Sequence, residues 1–149
     1  MSLEQKEQKR WEREGVVFFV YKGGKVLVEQ RPDSDPGYGG YIVIPGGKCE
    51  GLETPEQALL RETEEELGIK PLSWIHLDTF EHVTLDGRHY LSHAYLISEF
   101  EEEVQNKETY KGKQMWVSLD EAGNFLKLGP SRLILFKAKE AILAEQKKD

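Results

Sequence analysis

The chain has one cysteine, Cys49, among 149 residues. A lone thiol cannot form an internal disulfide, so a reducing, cytoplasmic setting is expected. No apolar run approaches the roughly 20 residues needed to cross a bilayer, so no membrane partner is expected. Residues 1–14 are rich in Lys, Glu, Gln and Arg and lack the apolar stretch of a secretion signal. They are expected to form a frayed or loosely helical lead-in to a domain spanning 15–149. Basic residues are also short: 20 Lys and Arg against 27 Asp and Glu leave a formal net charge of −7. That balance argues against a nucleic-acid duplex or an anionic membrane as partner. It leaves room for a small phosphorylated ligand, because a bound metal can reverse the local sign. Neither an internal repeat nor a second-domain boundary is visible, and the length suits one domain, monomeric or homodimeric.

What the chain does have is strand and helix signals in alternation. Val16 to Tyr21 is a continuous β-branched and aromatic run, which reads as a buried strand. Gly23-Gly24 turns it into a second strand, Lys25 to Arg31. Pro32 to Gly40 reads as a loop, and Tyr41 to Ile44 as a short strand stopped by Pro45-Gly46-Gly47. Strand-like stretches at Trp74–Thr84 and Arg88–Ser98 flank Leu85-Asp86-Gly87, a hairpin signal. A polar loop, Glu99–Lys113, leads to a last strand, Gln114–Val117. Ser118 and Glu121 form a capping box opening a short helix toward Leu126. Pro130 opens the final helix, with Leu133, Ile134, Phe136, Ile142 and Leu143 available for packing. The expectation is an α/β domain with a central mixed sheet.

The densest signal lies between Gly47 and Ile69, which holds seven glutamates offset only by Lys48 and Arg61. Thr54, Pro55 and Gln57 supply a capping box with proline in the first turn, and Gly68 supplies the stop. On the helix between them, Leu59, Leu60, Thr63 and Leu67 can face a core. Glu62, Glu65 and Glu66, at i, i+3 and i+4, share another face. Like charges at that spacing destabilise an isolated helix, so a bound cation explains the composition better than local stability does. Carboxylates converging from one face make a hard oxygen site suited to Mg²⁺ or Mn²⁺, shared with a diphosphate.

Gly47, five residues, Glu53, seven residues, then Arg61-Glu62-Thr63-Glu64-Glu65-Glu66-Leu67-Gly68-Ile69 resembles the Nudix box, G-x5-E-x7-R-E-U-x-E-E-x-G-U with U a bulky apolar residue. Only Thr63, standing at an apolar position, departs from it. Val26–Arg31, Pro45–Lys48 and Trp116–Glu121 extend the likeness to the MutT-like branch. The resemblance implies a Nudix-type α/β/α sandwich with a loop-helix-loop catalytic motif. It further implies a divalent-metal-dependent hydrolase, foremost a (deoxy)nucleoside triphosphate pyrophosphohydrolase. Dinucleoside polyphosphate, ADP-ribose and nucleotide-sugar hydrolases are the alternatives, and a catalytically silent sensor or protein-binding module is the rival of another class.

The same resemblance assigns roles. Glu62, Glu65 and Glu66 match metal-binding glutamates, and the Gly46 carbonyl a further ligand. Glu53 supports them, and Arg61 orients them, a role compatible with a simple ion pair to Glu65. The general base is sought among Glu99, Glu101, Glu102, Glu103 and Glu108, with Glu108 preferred. For the substrate, Arg31 and Lys48 are candidate phosphate partners, and Tyr38, Tyr41, Phe80 and Tyr90 candidate stacking surfaces, Tyr41 and Phe80 foremost. Ser131 stands where members reading 8-oxoguanine often place an amide or carboxylate, which argues against a strict oxidised-guanine specificity. His76, His82, His89 and His93 lack zinc-ligand spacing and are read as structural or substrate-side. Cys49 is read as a free thiol.

Overall fold

The structure, a computed structural model, describes residues 11–147; of the expected lead-in, residues 1–10 lie outside that range. In chain order the elements are β1 (Arg13–Lys22), β2 (Lys25–Gln30), β3 (Ile42–Val43), β4 (Gly46–Lys48), α1 (Pro55–Leu67), β5 (Lys70–Val83) and β6 (His89–Glu101). A single 3-10 turn (Thr109–Lys111), β7 (Lys113–Ser118), α2 (Ala122–Phe125) and α3 (Gly129–Gln146) follow. The seven strands form one mixed sheet in the order β3-β2-β1-β6-β5, with β4 on β1 and β7 on β2. β1 runs parallel to β6, and the other pairs are antiparallel.

Both faces of the sheet are covered, which is why Val16–Val20 is apolar without alternation. Val16, Phe18, Val20, Tyr95 and Ile97 pack with Ala58, Leu59 and Leu67 of α1. On the opposite face Phe19, Val26, Val28 and Leu96 pack with Ile134, Leu135, Ala138 and Ile142 of α3. Fully burying such a side chain contributes about 1.5–3 kcal/mol. The expected α/β/α sandwich is the architecture found. Among the described residues, no helix is long and apolar enough to cross a membrane.

Several boundaries differ from the sequence reading. β1 starts at Arg13, inside the expected lead-in, because its parallel ladder with β6 begins at the Arg13–Tyr90 pair. The strand expected at Tyr41–Ile44 is only Ile42–Val43, and the glycines thought to stop it are themselves a strand. The change of partner occurs at Pro45, whose carbonyl accepts the Phe18 N–H (2.9 Å). From there Gly46–Lys48 leaves β2 and pairs with Gly15–Val17 of β1. Leu60 is 39% exposed, so α1 turns Ala58 rather than Leu60 to the core. Leu133, Phe136 and Leu143 of α3 are likewise exposed, leaving Ile134, Leu135, Ala138 and Ile142 as its packing face. At the second capping box, Ser118 Oγ accepts the Glu121 N–H (3.2 Å), but α2 begins only at Ala122.

Candidate active site

α1 is built as its sequence dictates. The Thr54 hydroxyl accepts the Gln57 N–H (3.2 Å), the Gln57 side chain accepts the Thr54 N–H (2.9 Å), and Gly68 closes the helix in the left-handed region at φ 68°. Thr63 is fully buried, and its hydroxyl donates to the Leu59 carbonyl (2.8 Å). The departure from the apolar pattern is therefore met by an i−4 hydrogen bond within the helix.

Arg61 is the hub of the preceding loop. Its Nε and Nη2 grip both oxygens of Glu53 (2.7 and 2.9 Å), and Nη2 also donates to the Lys48 carbonyl (2.7 Å). Nη1 donates to Glu62 Oε1 and Glu65 Oε2, each at 3.0 Å. The Glu53 hydrogen bond chiefly raises the Arg61 pKa, and the Arg61 hydrogen bond holds the Glu53 carboxyl below its usual range. Both groups are thus fixed in their charged forms, in a two-pronged geometry that a lysine could not reproduce. β4 approaches closely: a Cβ on Gly47 would lie 2.0 Å from the Glu62 carboxyl carbon.

Beyond Arg61 lies a group of poorly compensated carboxylates. Glu62, Glu66 and, from β2, Glu29 are all buried. Glu29 Oε1, Glu62 Oε2, both Glu66 oxygens and Glu108 Oε1 have no hydrogen-bond partner. One oxygen each from Glu62, Glu65 and Glu108 lies within 4.8 Å of the others. Glu66 sits deeper, where burial first and Glu29 second push its carboxyl up to about 9. Burial also raises the Glu62 carboxyl, against the pull of Lys111 and Arg61. Lys111 approaches Glu62 (3.6 Å), Glu66 (3.9 Å) and Glu108 (3.6 Å). Burial alone would lower its pKa, but Glu66, Glu62 and Glu108 hold it above the ordinary value. Unpaired buried carboxylates are costly, and oxygen donors in this number suit a hard divalent cation.

Glu29, Glu62, Glu65 and Glu108 line a cleft of about 630 Å³, a volume within the range of small-molecule sites. The same cleft is lined by Tyr38, Phe80, His82 and Tyr90. The His82 and Tyr90 rings stack (5.4 Å, 15° between planes), and Phe80 meets His82 at 5.3 Å. His82 is tied to the Tyr38 hydroxyl (3.0 Å) and to Ser92 Oγ (2.8 Å), and burial lowers its pKa. These contacts hold the rings of Phe80, His82 and Tyr90 together as an aromatic ledge on the cleft wall.

Most sequence-expected residues meet here: Gly46, Lys48, Glu62, Glu65, Arg31, Phe80 and Glu108 all line the cleft. Arg31 is already engaged, by Glu29 (3.0 Å) and Asp35 (2.9 Å). Of the loop glutamates named for the base, Glu108 lines the cleft, whereas Glu99 and Glu101 belong to β6. One expectation needs correction. Tyr41 is 40% exposed and is not part of the cleft wall, because its carbonyl turns back to the Arg31 N–H (2.9 Å). One oxygen from each of Glu62, Glu65 and Glu108 converges, and Glu66, fully buried, lies next to Glu29. Glu29 and Lys111 were missed. A charged residue directly after the apolar run Val26–Val28, within the same predicted strand, was a readable sign for Glu29, whereas Lys111 lay hidden in a polar loop.

The Nudix domain profile matches residues 11–138. An 8-oxo-dGTP diphosphatase of Proteus vulgaris is 43% identical over 86 residues, 58% of this chain and 75% of that one. The CTP pyrophosphohydrolase of Escherichia coli (strain K12) is 31% identical over 136 residues, covering 91% of this chain and 97% of that one. The crystal structure of a MutT NUDIX hydrolase from Burkholderia pseudomallei superposes with a TM-score of 0.71 at 29% identity, covering 84% of this chain and 96% of that one. The chain therefore belongs to the Nudix family, as a nucleotide pyrophosphohydrolase of MutT type.

Proposed function

We propose that the protein is a Mg²⁺- or Mn²⁺-dependent pyrophosphohydrolase of (deoxy)nucleoside triphosphates, releasing a nucleoside monophosphate and pyrophosphate. The observation that carries this reading is the pairing, in one cleft, of unpartnered buried carboxylates with an aromatic ledge. Glu62, Glu65 and Glu66 hold the metal, with the Gly46 carbonyl as a further ligand. Held there, a divalent ion would offset phosphate charge and lower the pKa of water in the site. Glu108 is the general base: its Oε1, which has no hydrogen-bond partner and only the Lys111 ammonium at 3.6 Å, takes the proton of the water as the new P–O bond forms. The bridging P–O bond breaks, and its electron pair stays on the bridging oxygen, which departs with the leaving phosphate group. Arg61 and Glu53 position Glu62 and Glu65 through the guanidinium fork. Lys48 and Arg31 face the phosphates, and Phe80 and the stacked His82–Tyr90 pair take the base.

The single thiol supports a cytoplasmic setting. The relatives named above act on an oxidised guanine nucleotide and on a cytosine nucleotide, so both kinds belong in the test. Purified protein is incubated with Mg²⁺ or Mn²⁺ and canonical triphosphates, 8-oxo-dGTP, diadenosine polyphosphates, ADP-ribose and nucleotide sugars, with products identified by mass spectrometry. The expected products are a monophosphate and pyrophosphate from a triphosphate. Cleavage confined to the other substrates, or no cleavage at all, contradicts the proposal.

A further inference from the structure

We propose that Lys111 is an internal counter-cation of the glutamate site: it holds Glu62, Glu66 and Glu108 together without metal and withdraws when a divalent ion enters. This rests on the metal site proposed above.

The placement of Lys111 is built rather than incidental. The segment leading to it is tied to the end of α1 by the Gln105 N–H on the Leu67 carbonyl (2.9 Å) and the Lys107 N–H on the Glu66 carbonyl (3.0 Å). Asn106 closes the same segment by donating to the Gly112 carbonyl (3.0 Å). The resulting turn delivers the ammonium among three carboxylates at 3.6, 3.9 and 3.6 Å. Each separation exceeds the roughly 2.7–2.9 Å of a charge-assisted hydrogen bond. Lys111 therefore sits between the carboxylates without bonding any one of them, and leaves their buried oxygens unpartnered.

Arg31 already pairs with Glu29 and Arg61 with Glu62, so Lys111 adds one loosely held charge at Glu62, Glu66 and Glu108, whereas a dication with oxygen coordination would engage their unpartnered oxygens directly. The two cations cannot share the space, because like charges about 4 Å apart repel strongly even in a half-solvated site. Lys111 can yield. Its stem is four flexible carbons, its side chain is 20% exposed, and it lines the open cleft. Lys111 is a positioning residue on this account, competing with the metal and keeping the glutamates converged until it arrives.

The test is a Mn²⁺ titration followed by electron paramagnetic resonance on the wild type, Lys111→Gln and Lys111→Arg. Removing the competing charge is expected to tighten Mn²⁺ binding by about tenfold or more in Lys111→Gln, with Lys111→Arg close to the wild type. A parallel measurement on the unmodified protein avoids any folding defect: acetic anhydride labelling of Lys111, read by mass spectrometry with and without Mg²⁺. Labelling is expected to rise severalfold with Mg²⁺. Equal or weaker Mn²⁺ binding by Lys111→Gln, or labelling that Mg²⁺ leaves unchanged or reduces, overturns the role of Lys111 while leaving the metal site intact. Absence of Mn²⁺ binding by every protein overturns the metal site and this inference with it.

Discussion

Gly47 and Glu62 are in contact across the gap between β4 and α1. A Cβ added at position 47 would fall 2.0 Å from the Glu62 carboxyl carbon and 2.2 Å from one of its oxygens. The glycine that opens the motif is thus required by the glutamate that follows it fifteen residues later.

Gly47→Ala is predicted to displace that carboxylate while sparing the fold. The clash is with the far end of a flexible side chain, so the stability loss should stay within the ~0.5–3 kcal/mol of ordinary substitutions. Turnover is expected to fall at least about tenfold, since a carboxylate moved by an ångström no longer fits its place. Thermal unfolding and initial rates on the same preparation separate the two effects. A large drop in melting temperature with normal turnover of the folded fraction would contradict the assignment.

Arg61→Lys keeps the positive charge and removes the fork that grips Glu53 at 2.7 and 2.9 Å. If orientation is the role of Arg61, charge alone will not restore function. The expected loss is about 10–100-fold in kcat, the usual cost of removing a group that orients metal ligands. Steady-state kinetics at saturating metal decide the matter, and an unaltered kcat would reduce Arg61 to a plain ion-pair partner.

Phe80→Ala should act on binding more than on chemistry. A stacked base on an aromatic side chain is worth about 1–3 kcal/mol, so KM should rise roughly five- to a hundredfold while kcat changes less. Competition with an unreactive triphosphate analogue gives the same quantity without turnover. Loss of kcat at constant KM would place Phe80 outside the substrate ledge.

The Lys137–Asp78 ion pair (2.9 Å) ties α3 to β5, and its hydrogen bond holds the Asp78 carboxyl below its ordinary range. A carboxyl depressed in the folded state stabilises the fold above its unfolded value near ~4 and loses that contribution as pH falls through the folded value. The pair is partly exposed, so Asp78→Asn should cost only ~0.5–1 kcal/mol at pH 7. Urea unfolding should show that gap closing as the pH falls below about 4. A gap that persisted in acid would mean a packing effect instead.

Much of this molecule was readable because its strongest signals are local. Thr54, Pro55, Gln57 and Gly68 bound α1 through contacts within one or two turns, so the sequence and structure agree there. The continuous run Val16–Val20 already implied a strand covered on both faces. What stayed hidden depends on partners distant in the chain. Nothing local tells Gly46–Lys48 to abandon β2 for β1, or leaves Tyr41 out of the cleft wall. Glu108 and Lys111 enter the site because a loop is hydrogen-bonded to the end of α1, a tertiary event without a local pattern. Leu60 and Leu133 look like core residues by composition, and only the packing of α1 and α3 shows their outward side.

The central claim, that the glutamates of α1 bind a divalent ion for hydrolysis, is tested most directly at Glu65. Its side chain is 51% exposed, so replacing it leaves the core untouched. Pyrophosphate release is measured for the wild type and Glu65→Gln after chelation and after Mg²⁺ is restored. The account predicts no release from chelated wild type, recovery with Mg²⁺, and a loss of at least about a hundredfold in Glu65→Gln, no less than the cost of losing a metal-orienting group. Full activity in Glu65→Gln, or in the chelated wild type, would contradict it.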